Sequence, residues 1–398
     1  MYQNNINKKA LIFGLVAVFL CGMGFGVVSP VIPFLVERYV ASANQALSIS
    51  LLMAIYALFV FLVAPGMGSL SDHFGRRPIL LTSLVISAIG YLIFGFGSSL
   101  WLLFLGRMVE GIGGASISTI FAYFADIIPA EKRTKYFGWL GAVVGLGSAF
   151  GPVLGGILSS YSYSLPMFVG AGVTLLNALF GYFFMSESLS FDRRVASIEL
   201  SDLNPFAQLA SIFSLKNIKW ILISGFFVWL PNGSLQAIFP KLTIDSFNWQ
   251  PTLIGLMFSI IGLQDILSQV FIMPKLVVRL TDKKITRMGM FVEVLAYILI
   301  AISVIVSQPI FFILGMFTFG FGDSIYGPAY SSMLSKLVKE SEQGRLQGTS
   351  QSIQALARII GPLIGGVLYS RIDRTAPGIF GIILILLAIL VMTNKIKK

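Results

Sequence analysis

The sequence predicts an all-α membrane protein of twelve transmembrane helices, arranged as two pseudo-symmetric bundles of six. Three observations carry that expectation: a hydropathy far outside the soluble range, basic residues crowded on one side of the expected spans, and one phrase that occurs twice. The chain has 398 residues, of which 56% are hydrophobic and only 11% charged. Its mean hydropathy is +0.87. Soluble domains keep about 25% charged residues. Runs such as "LLTSLVISAIGYLIFGFG" and "VEVLAYILIAISVIV" recur along the whole length, and about 20 consecutive apolar residues suffice to cross a bilayer.

Breaking the chain at polar or Pro/Gly-rich punctuation places the first six spans near 10–36, 46–67, 79–97, 100–125, 136–159 and 164–185. The second six fall near 218–240, 251–273, 286–306, 308–335, 346–369 and 375–393. The first span is too long for a removable signal peptide and is followed at once by further spans, so it reads as a retained helix.

With these spans, all but six of the 28 Lys and Arg residues lie on one side. Arg38, Lys241, Arg371 and Arg374 fall on the other side, and Arg107 and Arg358 lie within spans. Such asymmetry places both termini in the cytoplasm of a multi-pass protein of the cell membrane, the inner one where there are two. It also accounts for the net charge of +11 through a basic face beside anionic lipid rather than through nucleic acid. The lone cysteine, Cys21, allows no internal disulfide.

The hydrophilic stretch "SESLSFDRRVASIELSDLNPFAQLASIFSLKN" divides six spans from six. The expected organisation is therefore a bundle over 1–186, a cytoplasmic linker over 187–217 with room for one short surface helix, and a bundle over 218–398. The repeated phrase lies in equivalent spans of the two halves: "GPVLGGIL" from Gly151 in span 5 and "GPLIGGVL" from Gly361 in span 11. Duplicated halves are the mark of transporters whose substrate site lies between them. Gly151, Pro152, Gly155 and Gly156 can bend a membrane helix and admit a close neighbour, which makes them candidate gate residues as well as packing devices.

Several phrases now converge on one family. "GSLSDHFGRRP" from Gly68 to Pro78 resembles the G-x-L-x-D-x-x-G-R-[RK] signature of the major facilitator superfamily. "GFGVVSPVIP" in span 1, "LGRMVEGIGG" in span 4 and "GSAFGPVLGG" in span 5 are similar to its drug:proton antiporter motifs, the last of them typical of exporters. The likeness covers essentially the whole chain and is nearest to the tetracycline/proton antiporter class, as "YALFVFLVAPGMGSLSDHFGRRP" and "GRLQGTSQS" indicate. It implies the major facilitator fold and a gating role for Gly68, Asp72, Gly75 and Arg76. The physics agrees: an acid at the end of span 2 can pair with basic groups or with the positive end of a helix in the other half, and so act as a latch. The alternative is that Arg76 and Arg77 only hold this loop inside. The matching loop "PKLVVRLTDKK" keeps the basic residues but not the pattern.

Six ionisable residues fall within spans: Arg107 and Glu110 in span 4, Asp265 in span 8, Glu293 in span 9, Asp323 in span 10 and Arg358 in span 11. Each costs about 2.5–3.5 kcal/mol at the bilayer centre, so each should face the protein interior, paired or wet. Acids in low dielectric suit proton carriage. Asp323 and Arg358 lie at similar depth on consecutive helices and are expected to pair, and Arg107 and Glu110 are neighbours on one helical face. Static ion pairs that fix packing are the competing account. By resemblance, Asp265 and Glu293 occupy the positions where tetracycline exporters carry a proton-coupling His and Asp. The acids of that class in spans 1 and 3 are replaced by Cys21 and Gly90, which argues against tetracycline itself as substrate.

Span 7 supplies candidate substrate contacts in Phe226, Phe227, Trp229, Asn232 and Gln236, aromatic walls with a few polar groups. With 34 Phe in the chain, most aromatics must serve packing or lipid. No G-x-x-x-x-G-K-[ST] phosphate loop occurs, and the single His73 cannot build a metal site or a triad. The expectation is no enzyme, no metal and no cofactor. The chain reads as a monomeric, proton-driven exporter of small hydrophobic or amphiphilic compounds, with a sugar or metabolite exporter and a non-transporting sensor as alternatives.

Overall fold

A computed structural model describes residues 8–195, 203–206, 218–336 and 343–395. Twelve of its helices are long and apolar enough to cross a membrane, as the sequence predicts, and no strand occurs among the described residues. Most of the expected linker, 196–202 and 207–217, lies outside them; its described part includes a 3-10 turn at Phe191–Arg193.

The first half contains α1 (Lys8–Val28), the short α2 (Ile32–Val36), α3 (Ser42–Phe74), α4 (Arg76–Phe96), α5 (Leu100–Gly114), α6 (Ile117–Ile127), α7 (Ala130–Ser159) and α8 (Leu165–Phe184). The second half contains α9 (Lys219–Phe247), α10 (Pro251–Leu267), α11 (Met273–Arg279), α12 (Asp282–Val306), α13 (Pro309–Ser335), α14 (Gln343–Arg371) and α15 (Ala376–Lys395).

Several helices outrun their apolar windows. α3 begins at Ser42 and ends at Phe74, against an expected 46–67, because a helix bonds its own backbone and polar residues can continue it beyond the hydrocarbon. The fourth span is broken at Ala115–Ser116, where Gly111, Gly113 and Gly114 weaken the helix. The eighth continues through a π-helical turn, Ser268–Ile272, into α11. Pro274 follows that turn and has no N–H to return to the preceding turn, which gives the widening a cause. Ser99 caps α5 by accepting from Leu102 N. Asn248 and Ser307 take left-handed conformations to end α9 and α12.

The described chain forms two compact units. Unit 1 comprises 1–39, 55–205 and 251–259; unit 2 comprises 40–54, 206–250 and 260–398. Each takes in a short segment from the other half of the sequence.

In unit 1 the repeated phrase forms a seam between α1 and α7. A Cβ on Gly151 would stand 2.6 Å from Met23 O, one on Gly155 would collide with Val27 O, and one on Gly26 would stand 2.6 Å from Pro152 Cδ. Gly156 lies against Pro251 and Thr252, whose hydroxyl donates to Gly156 O at 3.0 Å. Unit 2 repeats the device between α9 and α14. A Cβ on Gly361 would collide with Leu230 O and one on Gly365 with Ser234 Oγ. The duplicated words thus code duplicated close approaches, where lipid supplies no hydrophobic drive and contact must come from packing. The core of unit 1 gathers Phe13, Leu80, Leu84, Tyr123, Phe124 and Leu140. Leu176, Phe183, Val278 and Ile305 stand exposed, as a lipid-facing surface requires.

Candidate functional site

In unit 2, α9, α12 and α13 bring four polar side chains together: Asn232, Glu293, Tyr297 and Asp323. Glu293 and Tyr297 lie one helical turn apart on the same face of α12. Glu293 is fully buried. Gly322 of α13 makes room for it, since a Cβ there would stand 2.9 Å from Glu293 Cγ. Tyr297 donates from its hydroxyl to Asn232 Oδ1 at 3.1 Å. Asn232 Nδ2 in turn stands 3.5 Å from Asp323 Oδ1, and the same amide adjoins Glu293. Neither carboxyl oxygen of Glu293 has a donor at hydrogen-bond geometry.

Asp265 of α10 and Arg358 of α14 both lie within Coulombic reach of Asp323. Asp265 is half-buried and accepts from Gln269 Nε2 at 2.9 Å, a bond that spans the start of the π-helical turn. Glu293 lies inside the unit, Asp323 is half-buried, and Arg358 is exposed. The expected pairing of Asp323 with Arg358 therefore takes the form of an electrostatic neighbourhood in which Asn232 also contacts Asp323. Among the described residues, three carboxyls thus accompany one guanidinium.

The aromatic candidates of α9 divide. Trp229 is half-buried and stands edge-on to Tyr330 at 5.1 Å, and Tyr330 stacks on Tyr326 at 5.4 Å. Phe226 and Phe227 lie half-buried with centroids 6.4 Å apart, and Gln236 is exposed. Sequence reasoning passed over Tyr297, whereas the span 10 phrase "GMFTFGFGDSIYGP", which holds Tyr326, reads as candidate pocket wall. The one signal for Tyr297 was its spacing of four residues from Glu293.

Unit 1 holds the other buried pair. Arg107 Nη1 and Glu110 Oε2 are 2.5 Å apart, with side chains 0% and 3% exposed. The Arg107 guanidinium lies over the Tyr56 ring at 4.2 Å, and the Tyr91 hydroxyl adjoins Glu110. Gly90 permits this: a Cβ there would stand 2.5 Å from Glu110 N. Cys21, Tyr56, Tyr91, Glu110 and Thr174 share the wall of a cavity of about 20 Å³, room for one water. Residue 90 thus packs against Glu110, and residue 21 lines the same cavity.

The gate candidates of unit 1 form a tight polar knot. Asp72 and Arg76 pair at 2.5 Å. Arg76 also reaches Asp126 at 3.3 Å and Ser71 Oγ at 2.6 Å. Asp72 is therefore engaged within its own unit. Gly75 has φ +105° at the start of α4, a conformation that disfavours any Cβ. Gly68 has open space around it. Glu187 was missed by sequence reasoning: its two oxygens accept from Arg76 N at 2.9 Å and Arg77 N at 3.1 Å, capping the positive end of α4. His73 sits in the last turn of α3, half-buried, its Nδ1 2.6 Å from Val195 O.

The chain matches the model of the Major Facilitator Superfamily over residues 14–242 and 221–395. It is 35% identical to the tetracycline resistance protein, class C, of Escherichia coli, over 95% of this chain and 94% of that protein. It is 26% identical to multidrug resistance protein 2 of Bacillus subtilis (strain 168), over 100% and 98% of the two. Among solved structures it resembles the human organic anion transporter MFSD10 (TETRAN), with a TM-score of 0.73 and 22% identity over 97% and 99% of the two chains, a likeness of fold alone. A family match of this extent, borne on two sets of six spans and a duplicated helix seam, makes the chain a member of the Major Facilitator Superfamily.

Proposed function

We propose that the protein is a proton-coupled antiporter that exports small hydrophobic or amphiphilic compounds, of the multidrug or tetracycline-like kind, by alternating access. The observation that carries this reading is the acid-rich cluster of unit 2, with Glu293 fully buried beside Asp323. The printed names of the relatives, tetracycline resistance and multidrug resistance, support the substrate class. In this reading Glu293 and Asp265 load and release the proton, Phe226, Phe227 and Trp229 furnish apolar substrate contacts, and the Asp72–Arg76 knot belongs to the gate. The protein works as a monomer in the cytoplasmic membrane with both termini inside. It needs no cofactor beyond the proton gradient, which supplies about 2.3 kcal/mol per charge per 100 mV.

The test is a panel of drugs, sugars and metabolites supplied to an efflux-deficient host expressing the protein, with and without a proton uncoupler. Resistance to drugs that vanishes with the uncoupler is the expected result. Uncoupler-sensitive export of a sugar or metabolite alone would replace the drug reading, and the absence of any proton-coupled flux would remove it.

A further inference from the structure

We propose that Asn232, held by Tyr297, is a positioning residue that joins Glu293 and Asp323 into one proton-binding unit. The proposal rests on the antiport reading for its role in transport, but not for its geometry. Asn232 comes from α9, Glu293 and Tyr297 from α12, and Asp323 from α13. No other described contact ties these three helices through a side-chain amide.

The orientation of the amide follows from the chemistry of its neighbours. An ionised carboxylate only accepts, so Asp323 requires the amide nitrogen, and the amide oxygen is left for the Tyr297 hydroxyl to donate to. Tyr297 is buried and so cannot trade this bond for bulk water. The amide nitrogen carries two hydrogens. One points to Asp323 at 3.5 Å; the other is available to Glu293, which adjoins the amide and has no donor at hydrogen-bond geometry. One NH₂ group therefore serves two acids that repel each other when both are charged.

The proton step balances simply. The O–H bond of a protonated Glu293 breaks and an O–H bond forms on Asp323, leaving Glu293 as the carboxylate. The amide keeps both hydrogens throughout and tightens on whichever carboxylate is ionised. The other groups around the pair are Asp265 from α10, Arg358 from α14 and the Tyr326 hydroxyl from α13, which has no partner of its own. Arg358 and Asp265 act on Asp323 and set its charge balance. Asn232 is the group that adjoins both acids.

The test is a pH titration of the full-length protein in detergent, followed by the infrared carbonyl band of its protonated carboxyls. In the wild-type background Glu293→Gln should displace the Asp323 titration midpoint by about one pH unit. In an Asn232→Leu background the same change should displace it by less than half as much, and in a Tyr297→Phe background by an intermediate amount. Equal displacement in all three backgrounds would overturn the proposal. Should Asn232→Leu fail to fold, Tyr297→Phe, which removes one oxygen only, decides alone.

A second arm uses proteoliposomes and a compound that the drug panel shows to be exported. Tyr297→Phe should keep downhill flux within about twofold of wild type and lose about tenfold in proton-driven uphill flux. Parallel loss of both fluxes would mark Tyr297 as structural and overturn the assignment. Failure of the panel to yield any exported compound would count against the transport reading, and the infrared titration would still decide the role of Asn232.

Discussion

The two units treat buried charge in opposite ways. In unit 1 one acid meets one base: Glu110 is clamped to Arg107 at 2.5 Å, and the guanidinium is further held against the Tyr56 ring. In unit 2 three acids gather near one base, and the most deeply buried of them, Glu293, has no donor at hydrogen-bond geometry. Where one acid meets one base, taking up a proton discards the attraction between them, whereas a cluster with more acid than base can take one up without losing an ion pair. In the antiport reading the contrast gives fixed packing to the first site and proton loading to the second, although the sequence alone made all of these residues coupling candidates.

The largest expected effect separates the two sites. Glu110→Ala leaves Arg107 buried without its carboxylate and should lower stability by about 3–5 kcal/mol, the cost of breaking a buried pair, seen as a drop in Tm. Glu293→Gln removes no partner from any base and should leave Tm nearly unchanged. If Glu293→Gln proved as destabilising as Glu110→Ala, the distinction between the sites would fail.

Next come the duplicated seams, which ought to behave alike. Gly151→Val in unit 1 and Gly361→Val in unit 2, the equivalent positions of the repeat, both force a side chain against a helix backbone. Overpacking of this kind costs about 1–3 kcal/mol, and thermal unfolding should show similar losses for the two. A much smaller loss at either position would show that the repeated phrase has diverged in role.

A smaller effect concerns the start of α4. Glu187→Gln removes the charge that caps Arg76 N and Arg77 N and should cost about 0.3–1 kcal/mol at low ionic strength. Repeating the unfolding in high salt should shrink that difference, because the Glu187 side chain is partly exposed.

The smallest expected effect lies in the turn after α14. Hydrogen bonds from the Thr375 hydroxyl and backbone hold the Asp373 carboxyl below its ordinary range. A carboxyl lowered by folding stabilises the folded state above its unfolded value and loses that contribution as pH falls through its folded value. Thr375→Ala should therefore lower Tm slightly at neutral pH and not at all in strong acid.

The spans were legible because a bilayer enforces them: twenty apolar residues have few other uses. The seams were legible because the Gly-Pro phrase repeats in equivalent spans. What escaped was the rotation of one helix against another. Asn232 reads as one polar residue in an aromatic stretch, and only the facing helices show that it stands among acids. Tyr297 escaped because tyrosine at membrane depth looks like packing. Glu187 escaped because its partners are backbone N–H groups, which carry no mark in the sequence. The π-helical turn beside Asp265 lies within an apolar run that gives no sign of a change in pitch.

Proton release on substrate addition, measured in weakly buffered detergent solution with a compound the protein exports, tests the contrast between the units most directly. The account predicts release from the wild type and from Glu110→Gln, whose amide can still accept from Arg107, and none from Glu293→Gln. Release that survives in Glu293→Gln and disappears in Glu110→Gln would contradict it.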